Sequence, residues 1–171
     1  MLKDQVAIIT GGSSGIGRAG AIALAKEEAN VVVIGRNIAP IKDTHSDKRK
    51  KKKKNTSFGS ELGLALDVRN EKDMDEMVKR VMDKFGKIDI LIAAAGSGGS
   101  RATARGLPYA IVQLPIEEWD EIIDTNLKGV FFSNRAVLPV MMKQGKGNII
   151  NVSSSRGAKR GLPYAAAYSA S

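Results

Sequence analysis

The sequence predicts an α/β fold built on a doubly wound parallel sheet. Short, wholly apolar runs such as "VAIIT" and "VVVIG" are typical of strands that are buried on both faces, as they are in a parallel sheet. Between these runs lie stretches with apolar residues three and four positions apart, which is the spacing of helices that pack on a sheet. Because 171 residues suit one hydrophobic core, we expect a single domain over residues 1–171.

Strands and helices are expected to alternate along the chain. The strands are expected at residues 6–10, 31–35, 62–68, 87–96 and 147–155. The helices are expected at residues 16–29, 71–85 and 115–143, and a further helix is expected to begin near residue 164. Residues 97–114 are rich in glycine, serine and arginine and predict a loop.

One segment departs from this alternation. Residues 38–60 contain Pro40 and the run "KRKKKKK", and they predict an irregular basic segment. Removing the seven positive charges of residues 48–54 would lower the net charge from +9 to +2, so the basic character belongs to this run. No aromatic residues alternate with the lysines to stack on bases, which disfavours recognition of nucleic acid.

The composition excludes several classes of function. The chain has no cysteine and one histidine, so thiolate and multi-histidine metal sites are excluded and no bound metal is expected. No apolar stretch approaches the roughly 20 residues that a membrane-spanning helix needs. The first ten residues lack the pattern of a signal peptide. We therefore expect a cytoplasmic protein without a membrane partner.

The glycine-rich turn "TGGSSGIG" stands where the first strand passes into the first helix. In such a turn Gly11 allows the sharp bend, Gly15 lets the backbone approach a pyrophosphate, and Gly17 permits close packing of helix on strand. The helix N-terminus adds N–H groups and the positive end of its dipole. This arrangement predicts a Rossmann-like, three-layer α/β/α domain with a dinucleotide cofactor. The remaining residues expected along its phosphates are Ser13, Ser14 and Ile16.

Six motifs occur in an order that resembles the short-chain dehydrogenase/reductase family. They are "TGGSSGIG", "LDV" at 66–68, "AAAG" at 93–96, "DTNLKGVF", "INVSSS" and "AAYSAS". The resemblance implies an oxidoreductase that transfers a hydride between NAD(P)(H) and a small carbonyl or alcohol substrate. It also implies a homo-oligomer. The further cofactor-binding residues that it implies are Asp67 and Val68 on the adenine side, and Ala95 and Gly96 at the end of the fourth strand.

The end of the second strand bears on the choice of cofactor. An acidic residue at this point binds the ribose 2′-hydroxyl of NAD, whereas a nearby arginine accommodates the 2′-phosphate of NADP. The sequence here is Gly35-Arg36-Asn37, without an acid. Arg36 therefore favours NADP(H). The alternatives are NAD(H) bound by the same turn, with Arg36 as an exposed residue at the start of a helix.

Hydride transfer to a carbonyl also needs a proton donor at the carbonyl oxygen. A tyrosine can serve when a lysine four residues later on the same helix face lowers its pKa. In "YSAS" the tyrosine is Tyr168 and the lysine would be residue 172, whereas Tyr164 is followed four residues later by Tyr168 and is interpreted as packing or substrate lining.

Two further residues complete the catalytic set that the resemblance implies. The serine that binds the substrate oxygen is predicted as Ser154, and the usual spacing to the tyrosine leaves Ser155 as the alternative. Neighbouring residues of a strand face opposite ways, so only one of them can face the cofactor. Asn126, in "DTNLKG", is implied in a proton relay.

The sequence stops one residue before the expected lysine. We therefore expect a fragment of a dehydrogenase, with a sheet that is incomplete at the C-terminus and with little activity of its own. The alternative is a truncated, non-catalytic domain that binds a nucleotide or a partner.

Overall fold

The computed structural model describes residues 2–37, 61–98, 111–155 and 165–171. Within these ranges one parallel sheet has the strand order β3-β2-β1-β4-β5. Its strands are β1 Val6–Thr10, β2 Asn30–Gly35, β3 Glu61–Ala65, β4 Ile90–Ala93 and β5 Asn148–Asn151. This sheet confirms the predicted doubly wound α/β fold. The basic segment 38–60, most of the predicted loop 97–114 and Tyr164 lie outside the described residues.

Five α-helices accompany the sheet in the described ranges. They are α1 Gly15–Lys26, α2 Glu71–Phe85, α3 Ile116–Ile123, α4 Gly129–Gln144 and α5 Ala166–Ala170. A short 3₁₀ turn at Ile111–Gln113 precedes α3. None of the helices in the described part of the chain is long and apolar enough to cross a membrane.

The alternation of side chains along β1 and β2 divides the core into two layers. Ala7 and Ile9 of β1 and Val31 and Val33 of β2 pack with the small residues of α1 on one face. On the other face a larger cluster packs against α2 and α4, and its members include Val6, Ile8, Val32, Ile34, Met74, Met77, Val81, Val137 and Met141. Helices therefore cover both faces of the sheet.

The third strand is shorter than the sequence predicts. Leu66 and Val68 extend the alternating apolar pattern, but β3 ends at Ala65. Beyond it the Asp67 N–H donates to the Asp73 carboxylate at 2.8 Å, and the Asn70 N–H donates to the Asp67 carbonyl at 3.0 Å. These bonds fold residues 66–70 into a turn that leads into α2. The prediction of strand for residues 66–68 is therefore wrong, because after one last bond from the Leu66 N–H to the Gly35 carbonyl the turn uses the backbone groups of Asp67.

The predicted helix 115–143 is also not continuous. Residues Asp124–Lys128 form a wider, π-helical segment between α3 and α4. Directly after it, Gly129 lies so close to Val68 that a Cβ at this glycine would stand 2.7 Å from the valine Cγ2. Single π-helical turns inside longer helices commonly occur at functional sites. Here the segment carries Asn126.

A buried carboxylate joins three strands at the end of the sheet that holds the strand N-termini. Asp89 is 6% exposed, and its Oδ2 accepts the Val6 N–H at 2.9 Å. The Asp89 N–H donates to the Val6 carbonyl, and its carbonyl accepts the Asn148 N–H. Lys87 contacts Oδ2 at 2.9 Å, and Lys146 lies 3.7 Å from Oδ1. Burial raises the pKa of Asp89, but the Val6 N–H and the two lysines outweigh it and hold the pKa below its usual value.

Asp89→Asn is expected to lower the free energy of unfolding by about 1–3 kcal/mol, because an amide leaves a buried N–H and two lysines without a carboxylate. Since the folded pKa is depressed, the stabilisation is present above pH about 4 and is lost as the pH falls below it. Urea unfolding between pH 3 and 7 measures both effects. The exposed Asp83 on α2 provides the matched Asp→Asn control, and equal losses for the two variants would contradict the role of Asp89.

Candidate functional site

A cleft of about 690 Å³ opens at the carboxyl ends of β1, β4 and β5. This is where the strand order reverses, the usual ligand position of an open parallel sheet. The structure brings ten of the predicted site residues into its wall. They are Gly11, Ser14, Gly15, Ile16, Gly17, Ala95, Gly96, Asn126, Ser154 and Tyr168.

Gly11 and Gly17 hold the glycine-rich turn close to its neighbours. Gly11 has φ +66°, and a Cβ there would lie 2.7 Å from the Ala95 Cα. A Cβ on Gly17 would lie 2.5 Å from the Gly11 carbonyl oxygen. No side chain fits at either position. The turn is thus pressed against the end of β4 on one side and against the first turn of α1 on the other.

The N-terminus of α1 faces the cleft without a side-chain cap. Ser14 stands in the extended N-cap conformation and makes no capping hydrogen bond through its side chain. Gly15 has φ +50°, and no atom lies within 4 Å of the place a Cβ would take. An uncapped helix N-terminus beside open space suits an anion, since its N–H groups and dipole favour negative charge. The cradle therefore fits a pyrophosphate.

Thr10 ties this turn to β4. Its side chain is buried at 1% exposure, and its Oγ1 accepts the N–H groups of Ala94 and Ala95 at 3.2 and 3.3 Å. These two N–H groups lie just beyond the end of β4, where the sheet ladder no longer pairs them. Thr10 thus holds the chain that follows β4 against the end of β1, one step beyond the last paired residues of the two strands.

Asn126 holds the far wall in a similar way. Its Oδ1 accepts the Ser97 N–H at 2.7 Å, and its Nδ2 donates to the Ser97 carbonyl at 3.0 Å and to the Ser171 Oγ at 3.0 Å. One amide side chain therefore joins the segment after β4, the π-helical segment and the residue that follows α5. The predicted proton-relay role of Asn126 stays a prediction.

The structure places Ser154 and Tyr168 in the same cleft wall, one after β5 and the other on α5. Ser153 lies there too, whereas Ser155 is exposed and does not line the cleft. This placement favours Ser154 of the two alternatives. The catalytic roles of Ser154 and Tyr168 remain predictions.

Four predicted cofactor residues lie beside the cleft and do not line it. Ser13 is part of the glycine-rich turn, with its Oγ 3.3 Å from the place of a Cβ on Gly35. Arg36 is exposed just after β2, and Asp67 is half-buried in the turn after β3. Val68 is buried against Gly129. Because β2 and β3 are neighbouring parallel strands, Arg36 and Asp67, which follow them, lie at the same end of the sheet, that of the strand C-termini.

Asp67 has a close partner that the sequence did not reveal. The Arg69 Nε lies 3.0 Å from both carboxylate oxygens, and the Nη2 lies 2.6 Å from Oδ2. The Arg69 side chain, opposed by burial and assisted by the Arg69 N–H and the charge of Arg36, holds the pKa of Asp67 below its usual value. The same pair raises the pKa of Arg69, with added effect from the charges of Glu121 and Asp124.

Comparison with known proteins agrees with this geometry. The family model described as short chain dehydrogenase matches residues 5–171. The chain belongs to the short-chain dehydrogenase family. An uncharacterised oxidoreductase of Staphylococcus aureus (strain USA300) is 35% identical over 157 residues, which are 92% of this chain and 61% of that protein. One of Staphylococcus epidermidis is 35% identical over 156 residues, 91% of this chain and 60% of that protein. The chain thus spans about three fifths of the length of these relatives.

Solved structures of short-chain dehydrogenases have the same fold. An NAD⁺-bound xylitol dehydrogenase superimposes with a TM-score of 0.82 at 29% identity, over 99% of this chain and 60% of that one. A metagenomic short-chain oxidoreductase in complex with NADP gives a TM-score of 0.83 at 30% identity, over 99% and 70%. The two complexes contain different nicotinamide cofactors. The recognition from the six motifs is therefore confirmed, and the preference between NAD and NADP is not decided by these likenesses.

Three residues of the site were missed by sequence reasoning. Thr10 opens the glycine motif, but a strand-terminal threonine looks like any β-branched residue. Ser97 acts through its backbone, which carries no sequence signal. Arg69 stands two residues after Asp67, and this spacing could have suggested an ion pair in a tight turn. In the described ranges no cluster of three or more histidine, aspartate or glutamate side chains could hold a metal ion.

Gly11→Ala is expected to destabilise this protein by at least about 1 kcal/mol more than Gly15→Ala. Both glycines have positive φ, so both variants bear the cost of a left-handed residue, roughly 1–2 kcal/mol. The added Cβ overlaps Ala95 at position 11 and meets open space at position 15. Denaturant unfolding of the two variants measures the difference. Equal losses would mean that the turn and β4 are not in close contact.

Thr10→Val is expected to cost about 1–3 kcal/mol of stability, because it leaves the N–H groups of Ala94 and Ala95 without their acceptor. Thr10→Ser keeps the hydroxyl and removes one methyl group, so a smaller loss of about 1 kcal/mol is expected. Thermal unfolding followed by circular dichroism compares the two. A greater loss in the serine variant would show that Thr10 acts by packing alone.

Proposed function

We propose that this protein binds a nicotinamide dinucleotide across the cleft and acts as an NAD(P)(H)-dependent oxidoreductase on a small carbonyl or alcohol substrate. The observation that carries the proposal is the uncapped N-terminus of α1, which opens into the cleft beside glycines that leave no room for side chains. Such a cradle suits the pyrophosphate of the cofactor. When bound, the cofactor would supply the hydride.

NADP(H) is the cofactor that we favour. Arg36 is exposed at the carboxyl end of β2, and no acidic residue stands at positions 35–37 to bind a 2′-hydroxyl. The charge of Arg36 acts on Asp67, but the carboxylate of Asp67 is already paired with Arg69. The guanidinium of Arg36 is thus suited to a 2′-phosphate. The NADP complex of a relative supports this assignment, and the NAD⁺ complex of another keeps NAD(H) as the alternative.

Tyr168, Ser154 and Asn126 are the proposed catalytic residues. The Tyr168 hydroxyl would give a proton to the substrate oxygen during reduction and take it back during oxidation. The Ser154 hydroxyl would hydrogen-bond the same oxygen. Their position in one cleft wall, beyond the glycine-rich turn, supports these roles. Asn126 would hold the wall in place through Ser97 and support the proton relay.

Titration with NADPH and NADH, followed by nicotinamide fluorescence, is expected to show saturable binding with NADPH the tighter ligand. Arg36→Gln is expected to weaken NADPH binding by about tenfold, the equivalent of one charge-assisted contact, and to leave NADH binding nearly unchanged. Gly15→Val is expected to abolish binding of both, because the side chain would enter the phosphate cradle.

Arg80→Gln is the matched control for Arg36→Gln. Arg80 lies on the exposed face of α2 and pairs with Glu76, remote from the cleft. It is expected to leave both affinities unchanged. Absence of any signal from folded protein would reject dinucleotide binding. Binding of both cofactors without an effect of Arg36→Gln would reject only the preference for NADP(H).

A further inference from the structure

Ser171 connects the helix that carries Tyr168 to Asn126. The Asn126 Nδ2 donates to the Ser171 Oγ at 3.0 Å, and the Ser171 Oγ donates to the Tyr168 carbonyl at 3.2 Å. A serine hydroxyl has one hydrogen, so the bond to Tyr168 leaves it only lone pairs to offer to Asn126. The two bonds are therefore compatible, and together they join the backbone of α5 to the π-helical segment.

The amide of Asn126 is held on its other side as well. Its Oδ1 accepts the Ser97 N–H at 2.7 Å, and its Nδ2 also donates to the Ser97 carbonyl at 3.0 Å. An amide nitrogen has two hydrogens, so Asn126 uses both as donors. If the amide turned over, its oxygen would face the Ser97 carbonyl and repel it. The Ser97 backbone therefore fixes the direction in which Asn126 offers a hydrogen to Ser171.

The short helix α5 depends on contacts of this kind. It has five residues, and a helix of this length is not stable without contacts to the rest of the protein. Ala167 is 1% exposed, and α5 packs against α3. Apolar packing has no preferred direction, so it holds the helix down without fixing its rotation. A hydrogen bond has a preferred distance and angle, and the bonds of Ser171 supply that constraint.

We propose that Ser171 is a positioning residue whose hydroxyl fixes the turn of α5 that carries Tyr168, so that the tyrosine ring keeps one orientation in the cleft. Ser97, Asn126, Tyr168 and Ser171 all line this cleft. The inference rests on the proposed role of Tyr168 as proton donor. Proton transfer requires the donor to lie within hydrogen-bond distance of the substrate oxygen. A turn that shifts therefore lowers the rate of proton transfer and leaves the binding of the cofactor phosphates intact.

The test follows two side chains by NMR in the 171-residue protein, the amide of Asn126 and the ¹³C-labelled ring of Tyr168. The ring signals are assigned by their absence from Tyr168→Phe. In Ser171→Ala the Asn126 amide hydrogens are expected to exchange with water about fivefold to tenfold faster, the effect of one lost hydrogen bond. The ring signals of Tyr168 are expected to shift and broaden, because the helix loses its fixed orientation.

Three further variants make the result specific. Ser171→Thr keeps the hydroxyl and is expected to restore the native signals. Ser155→Ala is the matched control, because Ser155 is exposed and does not line the cleft, and it is expected to leave both signals unchanged. Asn126→Ala breaks the link from its other end. It is expected to change the Tyr168 signals as Ser171→Ala does, and the double variant is expected to add nothing to either change. If circular dichroism shows that Ser171→Ala does not fold, Asn126→Ala tests the link.

Titration with NADPH separates this inference from the proposed function. Ser171→Ala is expected to bind NADPH within about twofold of the native affinity, because the phosphates are proposed to lie at the N-terminus of α1. If the folded native protein binds no NADPH, the proposed function is rejected and the inference with it. If NADPH binds but Ser171→Ala leaves the Asn126 and Tyr168 signals unchanged, only the inference is rejected. It is rejected equally if Ser171→Thr does not restore the signals that Ser171→Ala changes.

Discussion

The site depends on one close contact between backbones, that of Gly11 with Ala95. The cleft lies at the switch point of the sheet, beyond the carboxyl ends of the neighbouring strands β1 and β4, which are paired up to Thr10 and Ala93. Thr10 bonds the end of β4 to the end of β1, and Gly11 then brings the turn against it. The position of the α1 N-terminus relative to the far wall of the cleft follows from this contact.

Each end of the sheet has an aspartate that is paired with basic side chains. At the end with the strand N-termini, Asp89 is buried, bonded to backbone and flanked by lysines, so its charge serves the joining of strands. At the end with the strand C-termini, Asp67 is half-buried and lies in a turn, where Arg69 pairs with it. Because Asp67 is paired with Arg69, the charge of the neighbouring, exposed Arg36 is not neutralised by Asp67. The same residue type thus supports the fold at one end and shapes the electrostatics of the proposed site at the other.

The sheet and the glycine-rich turn could be predicted from sequence because their signals are local. Apolar runs mark β1 and β2, and glycines at fixed spacing mark the turn. The π-helical segment could not be predicted, because apolar residues three and four apart suit an α-helix and a π-helical turn alike. Ser154 and Ser155 were neighbours on the predicted strand 147–155, but β5 ends at Asn151, and the path of the chain after it decides which serine lines the cleft. The pairing of Asp67 with Arg69 depends on a turn that could not be predicted, because the pattern of "LDV" favours the continuation of a strand.

The fit of Gly11 against Ala95 means that the segments after the first and fourth strands should be exchanged together when the protein is engineered. A cofactor turn exchanged from a relative is compatible with this scaffold when its partner segment at the end of β4 has a matching shape. A chimera that takes both segments from the same relative preserves the close contact between them. A chimera that takes only one segment places a non-matching turn against the backbone of Ala95, where there is no space for extra atoms. In this sense two stretches separated by more than eighty residues behave as one module.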